Sequence, residues 1–139
     1  MTYKVPFVNY PEHYRRIWDE VMKAITEVLS KGDLILRDQL RQFEENVASF
    51  IGVKDADGVN SGTDALYLSL RAAGIGPGDE VITVAHTFVA SVAVIIHCGA
   101  TPLLVDVAED FNMDLEQVEK AISPRTKAIM PVHLNGRLC

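Results

Sequence analysis

Short, largely apolar runs alternate with single helical patterns in residues 56–132, and this alternation limits the folds open to the chain. The runs that favour β-strands cover 56–59, 80–84, 101–105 and 126–132, and the helical patterns between them cover 62–73, 87–97 and 114–122. Strands that alternate with single helices form βαβ units around a parallel sheet, with right-handed crossovers. Because the runs are largely apolar rather than alternating, we expect helices on both faces of the sheet.

Two amphipathic helices are predicted before this region. An extended arm at 1–11 precedes a helix at 12–31, a second helix covers 38–51, and a glycine follows each helix as a stop signal. Both helices carry apolar residues at three- and four-residue spacing, which predicts one buried face on each. We therefore divide the chain into an arm with two helices at 1–55 and an incomplete sheet domain at 56–139.

The composition is that of a globular domain without a nucleic-acid or membrane surface. The 139 residues carry a net charge of −6 and have a pI near 5.1, so no basic patch for a phosphate backbone is expected. The longest apolar run, at 88–96, is too short to cross a bilayer, and the first residues form no signal peptide. Cys98 and Cys139 stand outside any paired motif, which favours a cytoplasmic protein.

The join between the run at 56–59 and the helix after it consists mainly of residues with short polar side chains or none. It reads Val59-Asn60-Ser61-Gly62-Thr63-Asp64-Ala65-Leu66. A helix N-terminus leaves unpaired N–H groups that suit a phosphate, and Gly62 would let a ligand approach the backbone. Ser61 and Asp64 also match an ordinary capping box, and most capping boxes bind nothing. The stretch alone leaves both interpretations open.

Three loops are predicted to meet at one edge of the sheet, at 60–63, 84–88 and 131–136. The second loop holds His86, Thr87 and Phe88, and the third holds His133 and Asn135. Ligands of parallel α/β sheets bind outside the carboxyl ends of the strands, so this convergence predicts a binding site. Phe88 has two interpretations, a core residue or an aromatic surface for a flat ligand.

The remaining reactive side chains predict neither a metal site nor a nucleophile. His86, His97, Cys98 and His133 show no metal-ligand spacing on any one element. Cys98 lies at a helix end in apolar surroundings, and the sequence places no base beside it. The glycine-rich run at 74–78 follows a helix and precedes a strand, the reverse of a dinucleotide-binding fingerprint.

Several of these motifs occur together in the order and spacing of one family. They are Val59 to Leu66, Gly74 to Thr83, Thr87 to Ala90, Pro124 to Ile129, and Pro131 to Leu134. From about residue 5 to residue 139 the chain resembles the DegT/DnrJ/EryC1/StrS family of pyridoxal-phosphate-dependent sugar aminotransferases. Two positions depart from the family pattern: Val84 replaces a common proline, and Asn135 replaces a common tyrosine.

The resemblance implies an α/β fold, the three-layer, mostly parallel sheet of the fold-type I aminotransferase large domain, with two helices before it. It implies an active site at a homodimer interface and pyridoxal 5′-phosphate as the cofactor. Gly62, Thr63 and the Asp64 backbone match the positions that hold the cofactor phosphate. Phe88 matches the aromatic residue that stacks on the pyridine ring, and His133 lies in the motif that lines the site.

The resemblance also implies a reaction. An amino acid, usually glutamate, gives its amino group to a nucleotide-linked keto-sugar. The lysine that bonds to the cofactor, and the acid that keeps the pyridine nitrogen protonated, come after the position of Cys139 in the family, so we expect an N-terminal fragment that does not transaminate alone. Two alternatives stay open: a sugar dehydratase of the same family, and a regulatory protein that keeps the cofactor site without turnover.

Overall fold

The structure, a computed structural model, describes residues 4–32 and 34–139. The arm predicted at 1–11 therefore lies partly outside the described residues. The chain divides into two compact units, with the boundary between Gly58 and Val59.

The first unit contains the two predicted helices, α1 (Tyr10–Lys31) and α2 (Asp38–Ile51). The Asn9 side chain caps α1 by accepting a backbone N–H of the first turn at 3.3 Å. Each helix ends at a glycine in the left-handed conformation, with φ of 65° at Gly32 and 81° at Gly52. The structure confirms both helices, and α1 begins two residues earlier than predicted.

The apolar faces of these helices remain largely exposed, so the prediction of a buried face on each is wrong for this chain. No residue of α1 is buried, and Trp18 at its centre is 57% exposed. In α2, Phe50 is 89% exposed, and Ala48 is the one buried residue. Two helices alone have too little apolar surface to bury the apolar face of each.

The second unit has the predicted α/β order. Its elements are α3 (Gly62–Ala72), β1 (Glu80–Val84), α4 (Ala90–His97), β2 (Thr101–Val105), α5 (Leu115–Ala121) and β3 (Thr126–Ile129). The three strands form one parallel sheet in the order β2-β1-β3, with Glu80 of β1 paired to Thr101 and to Thr126. The prediction of a parallel sheet built from βαβ units is confirmed.

Two apolar clusters cover the faces of the sheet. On one face Val81 packs in a cluster with Leu70 of α3 and Val94 of α4. On the other face Ile82 packs in a cluster with Val118 of α5. All five residues of β1 are buried, as a central strand covered on both faces requires. The arrangement is the predicted three-layer one, with α3 and α4 on one face and α5 on the other.

Three predicted boundaries are corrected. Residues 56–59 form no strand, because Asp57 and Gly58 disfavour extended pairing. The helix predicted from Thr87 begins at Ala90 instead, since the Thr87 N–H turns back to a carbonyl at 2.9 Å.

The strand predicted to end at Val132 ends earlier, at Ile129. The Met130 N–H still donates to the Ile82 carbonyl at 2.8 Å. Pro131 follows and has no N–H to continue the ladder, which accounts for the shorter strand.

A buried carboxylate anchors the amino end of β1. Glu80 is only 4% exposed, accepts a hydrogen bond from the Ser123 hydroxyl at 2.6 Å, and pairs with the Arg125 guanidinium. The Ser123 hydrogen bond, with Arg125 as a further cause, lowers the pKa of Glu80, which keeps the carboxylate charged. These contacts join the turn before β3 to the start of β1, at the amino ends of the strands. The predicted loops lie at the opposite, carboxyl ends.

Asp114 caps α5, and this cap makes the free energy of unfolding depend on pH. Its carboxylate accepts N–H groups of Glu116 at 2.9 Å and Gln117 at 3.2 Å. The backbone hydrogen bond from Gln117 is the largest cause that lowers the pKa of Asp114. A lowered folded-state pKa means that the stabilisation is present above the unfolded-state pKa and is lost as pH falls through the folded-state value.

We therefore expect Asp114→Ala to lower the urea midpoint of unfolding at neutral pH, and by a smaller amount at pH 2, where the carboxyl is protonated and caps only through its carbonyl oxygen. Asp114→Asn is the matched control, because asparagine caps a helix about as well as aspartate but does not titrate. Urea unfolding of the three proteins between pH 2 and pH 7 measures the effect. A loss in Asp114→Ala that is the same at every pH would contradict the assignment to the charged cap.

Candidate functional site

The carboxyl ends of the three strands meet at one edge of the sheet. After β1 the chain passes to α4 on one face, and after β2 it passes to α5 on the other face. Where neighbouring connections leave to opposite faces, a parallel sheet opens a crevice between them, and ligands bind in such crevices. The topology therefore places the predicted loops at 84–88 and 131–136 at a ligand-binding edge.

The N-terminus of α3 lies at the same edge. Residues 73–79 carry the chain from the end of α3 to the start of β1, so α3 runs back along the sheet. The 11 residues of α3 and the 5 residues of β1 give both elements a length of about 16 Å. Gly62 therefore lies level with the carboxyl end of β1.

Ser61 caps α3 but leaves part of the helix N-terminus open. Its Oγ accepts the Asp64 N–H at 3.1 Å, and its hydroxyl donates to Asp64 Oδ2 at 3.1 Å. The Ser61 and Asp64 side chains are thus hydrogen-bonded to each other. The Asp64 backbone N–H already donates to Ser61 Oγ. Among the described residues, no acceptor is within hydrogen-bond distance of the Gly62 and Thr63 N–H groups.

Gly62 is exposed, and the space that a side chain would occupy there is open. A Cβ built on Gly62 meets nothing within 4 Å in the described chain. The Gly62 amide is therefore accessible to an anion, while Thr63 beside it is half-buried and adds a hydroxyl. The positive end of the helix dipole favours negative charge at this point.

Phe88 lies just after β1 and is 73% exposed. This exposure rules out the core interpretation of Phe88. The ring is presented at the carboxyl edge, on the loop that leads into α4. A flat ligand at this edge could therefore lie against it, since offset stacking on an aromatic ring is favourable.

His133 lies in the loop after β3 and is exposed. Its Nδ1 accepts the Cys139 backbone N–H at 3.1 Å, and Cys139 Sγ lies 3.1 Å from the same nitrogen. His133 Nδ1 is therefore hydrogen-bonded within the chain, and the other ring atoms are available to contact a ligand.

The edge also brings residues of the predicted loops together with residues that sequence reasoning missed. His86 and Asn135, both in predicted loops, line a common cavity with Phe111, Asn112, Leu134 and Arg137. The segment around Phe111 precedes α5 and lies outside the three loops predicted to meet at this edge. Its one local signal is Asp110 followed two residues later by an asparagine, a turn pattern that does not reveal a cavity.

The other reactive side chains lie apart from this edge. Cys98 is 3% exposed, and its Sγ contacts the Tyr67 carbonyl at 4.0 Å. His97 is the last residue of α4, as predicted. Over residues 4–32 and 34–139, no three His, Cys, Asp or Glu side chains are grouped closely enough to hold a metal ion, and no helix is long and apolar enough to cross a membrane.

An open helix N-terminus and an exposed aromatic ring at the ligand-binding edge of a three-layer sheet define an α/β domain suited to a phosphorylated, flat cofactor. The sequence matches the model of the DegT/DnrJ/EryC1/StrS aminotransferase family over residues 15–139. The chain belongs to that family.

Two curated relatives match almost the whole of this chain. The chain is 46% identical over 136 residues to the dTDP-3-amino-3,4,6-trideoxy-alpha-D-glucose transaminase of Streptomyces venezuelae, covering 97% of this chain and 36% of that protein. It is 42% identical over 135 residues to a pleiotropic regulatory protein of Geobacillus stearothermophilus, covering 96% and 36%. The chain thus spans about a third of the length of the curated relatives it matches.

A solved structure agrees on the fold. The crystal structure of NtdA from Bacillus subtilis with bound cofactor PMP superposes with a TM-score of 0.92 at 34% identity, covering all of this chain and 32% of that one. The fold is therefore that of the corresponding part of a pyridoxal-phosphate aminotransferase. The open amide at Gly62 and the exposed ring of Phe88 fit a cofactor that has a phosphate and a flat ring.

Proposed function

We propose that this chain forms the phosphate-binding and ring-stacking part of an aminotransferase that moves an amino group from glutamate to a nucleotide-linked keto-sugar. The observation that carries the proposal is the open N-terminus of α3, where nothing lies within 4 Å of a Cβ on Gly62. Membership of the family and the transaminase among the relatives support the reaction class.

Each residue has a role in this proposal. Gly62 and Thr63 donate backbone N–H groups to the phosphate, and the Thr63 hydroxyl adds another donor. Phe88 lies against the ring and excludes water from one of its faces. His133 borders the site from the loop after β3. Bound pyridoxal phosphate supplies an electron sink, which lets an amino group leave one substrate and join another.

Further parts of the whole protein complete this chemistry. We assign the lysine that bonds to the cofactor, and the acid beside the pyridine nitrogen, to sequence that follows Cys139. A second subunit of a homodimer closes the site. A histidine at the lysine position would instead favour the dehydratase alternative, so that one residue separates the two enzyme functions.

Binding of pyridoxamine 5′-phosphate by the 139-residue chain tests the carrying observation. This form of the cofactor has no aldehyde, so it cannot bond to surface lysines. We expect it to bind at least about tenfold more tightly than pyridoxamine, because hydrogen bonds to a charged phosphate contribute about 1.5–3 kcal/mol each. Isothermal titration calorimetry measures both affinities.

The comparison of the two ligands isolates the contribution of the phosphate group to the affinity. Their rings and amino groups are the same, so contacts with Phe88 contribute to both. Equal affinities would show that the N-terminus of α3 does not hold the phosphate, and the proposal would lose the observation that carries it.

A further inference from the structure

Two hydroxyl groups form a hydrogen bond beside the loop that presents Phe88. Thr87 Oγ1 and Ser91 Oγ are 2.9 Å apart, and either oxygen can donate. Ser91 is 7% exposed and Thr87 is half-buried, so water competes little for this bond. Neither residue belongs to the cofactor site as proposed above.

The ring of Phe88 has little support from other side chains. It is 73% exposed and belongs to neither apolar cluster of the sheet. Among the described residues, no other aromatic ring pairs with it. The position of the ring therefore depends on the backbone that carries it, where the loop after β1 passes into α4.

Three hydrogen bonds hold that backbone, and Ser91 makes two of them. The Thr87 N–H donates to the Ala85 carbonyl at 2.9 Å, which turns the chain sharply after β1. The Ser91 N–H donates to the Phe88 carbonyl at 3.1 Å, and the Ser91 hydroxyl bonds to the side chain of Thr87. Ser91 thus holds the chain immediately before Phe88 and at Phe88 itself.

The bond between Thr87 and Ser91 is not an ordinary helix cap. A capping hydroxyl accepts a backbone N–H of the first helical turn. The N-cap residue of α4 is Val89, and no side chain caps this helix. Because the hydroxyl bond satisfies no N–H group of α4, its main effect is to fix the loop relative to the helix.

α4 is a rigid base for this bond. Val94 and Ile95 have no exposed surface and pack in the cluster that joins α4 to the sheet. Ser91 lies one turn before them on the same helix. Functional side chains are held most precisely when they are attached to such well-packed elements. The Ser91 hydroxyl therefore connects the exposed ring of Phe88 to the core.

We propose that Ser91, through its hydrogen bond to Thr87, positions the ring of Phe88 for stacking on a flat cofactor. Ser91 is a positioning residue, since it acts through Phe88 and contacts no ligand. The inference rests on the proposed cofactor function, in which Phe88 lies against the ring of the cofactor. It adds a buried hydroxyl pair to the residues on which that function depends.

Backbone NMR relaxation of the ligand-free 139-residue chain tests the first step of the inference. Ser91→Ala and Thr87→Val each remove one of the two hydroxyls. Both should lower the order parameter of the Phe88 amide from the rigid value of about 0.85 towards the flexible range below about 0.6. Thr87→Ser keeps the hydroxyl and should retain the rigid value. Unchanged order in both deletion variants would overturn the inference.

Calorimetric titration with pyridoxamine 5′-phosphate and with pyridoxamine tests the second step. Stacking on an aromatic ring changes an affinity by about two- to tenfold, so Phe88→Ala should weaken both ligands by about that factor. Ser91→Ala should weaken both by about threefold, within this limit. The preference for the phosphorylated ligand should stay the same, because the N-terminus of α3 is unaltered.

The double variant Phe88→Ala/Ser91→Ala separates positioning of the ring from a general effect on the fold. If Ser91 acts through Phe88, its replacement should cause no further loss of affinity once the ring is absent. The same loss in both backgrounds would mean that Ser91 acts without Phe88, and the inference would be overturned.

Ser69→Ala is the matched control. Ser69 is an exposed helical serine of α3 whose hydroxyl donates to the Ala65 carbonyl at 2.7 Å. Its replacement should leave both measurements unchanged, and equal weakening there would overturn the inference. A parent chain that binds neither ligand would overturn the cofactor proposal together with this one. Binding by the parent with unchanged affinity in Ser91→Ala would overturn this inference alone.

Discussion

Gly62→Val should weaken the binding of pyridoxamine 5′-phosphate by about tenfold or more, because a branched side chain would fill the space in front of the α3 N-terminus and block hydrogen bonds to a charged group. The fold should tolerate the change. No protein atom lies within 4 Å of a Cβ at Gly62, and its φ does not require glycine. The loss would therefore report on the ligand rather than on folding.

Ala72→Val provides the matched control for Gly62→Val. Ala72 is exposed at the other end of the same helix, so it places the same valine side chain on α3 without approaching the ligand. Calorimetric titration of both variants and the parent chain measures the difference. Unchanged affinity in Gly62→Val would return the stretch from Ser61 to Leu66 to the simpler interpretation, a helix cap that binds nothing.

The fold could be predicted from the sequence to the extent that local patterns determine it. The continuous apolar run of β1 predicts a strand covered on both faces, and Val81 and Ile82 indeed pack against helices on opposite sides. The prediction of a strand at 56–59 failed because Asp57 and Gly58 disfavour strands and leave only two apolar residues in the run. So short a run is a weak local signal, unlike the five buried residues of β1.

The candidate site likewise contains residues that could be predicted from the sequence and residues that could not. Gly62 and Phe88 could be found because each stands directly at the end of an element whose direction the sequence predicts. Phe111 and Arg137 could not, because they meet only when the loops after β2 and β3 reach the same crevice. The left-handed backbone at Phe111 also carries no sequence signal, since phenylalanine rarely adopts it. Their proximity is a consequence of strand order rather than of spacing.

Ile82→Ala should reduce the free energy of opening of the sheet by about 2–5 kcal/mol, the usual cost of a cavity at a fully buried isoleucine. Ile82 has no exposed surface, lies in the central strand and packs in the cluster that joins the sheet to α5. This loss is a large fraction of the stability of a small domain, which is typically about 5–15 kcal/mol. Hydrogen exchange of the β1 amides measures it within the second unit alone.

Ile129→Ala separates burial from strand preference. Ile129 is the direct neighbour of Ile82 in the register of β1 and β3, but it is 47% exposed. Both substitutions remove the same atoms and the same β-branched preference for a strand, so that contribution cancels in the comparison. The exposed position should lose about 1 kcal/mol or less. Equal losses at both positions would mean that β1 is not the central strand of a two-sided core, and the edge on which the cofactor proposal depends would have to be placed elsewhere.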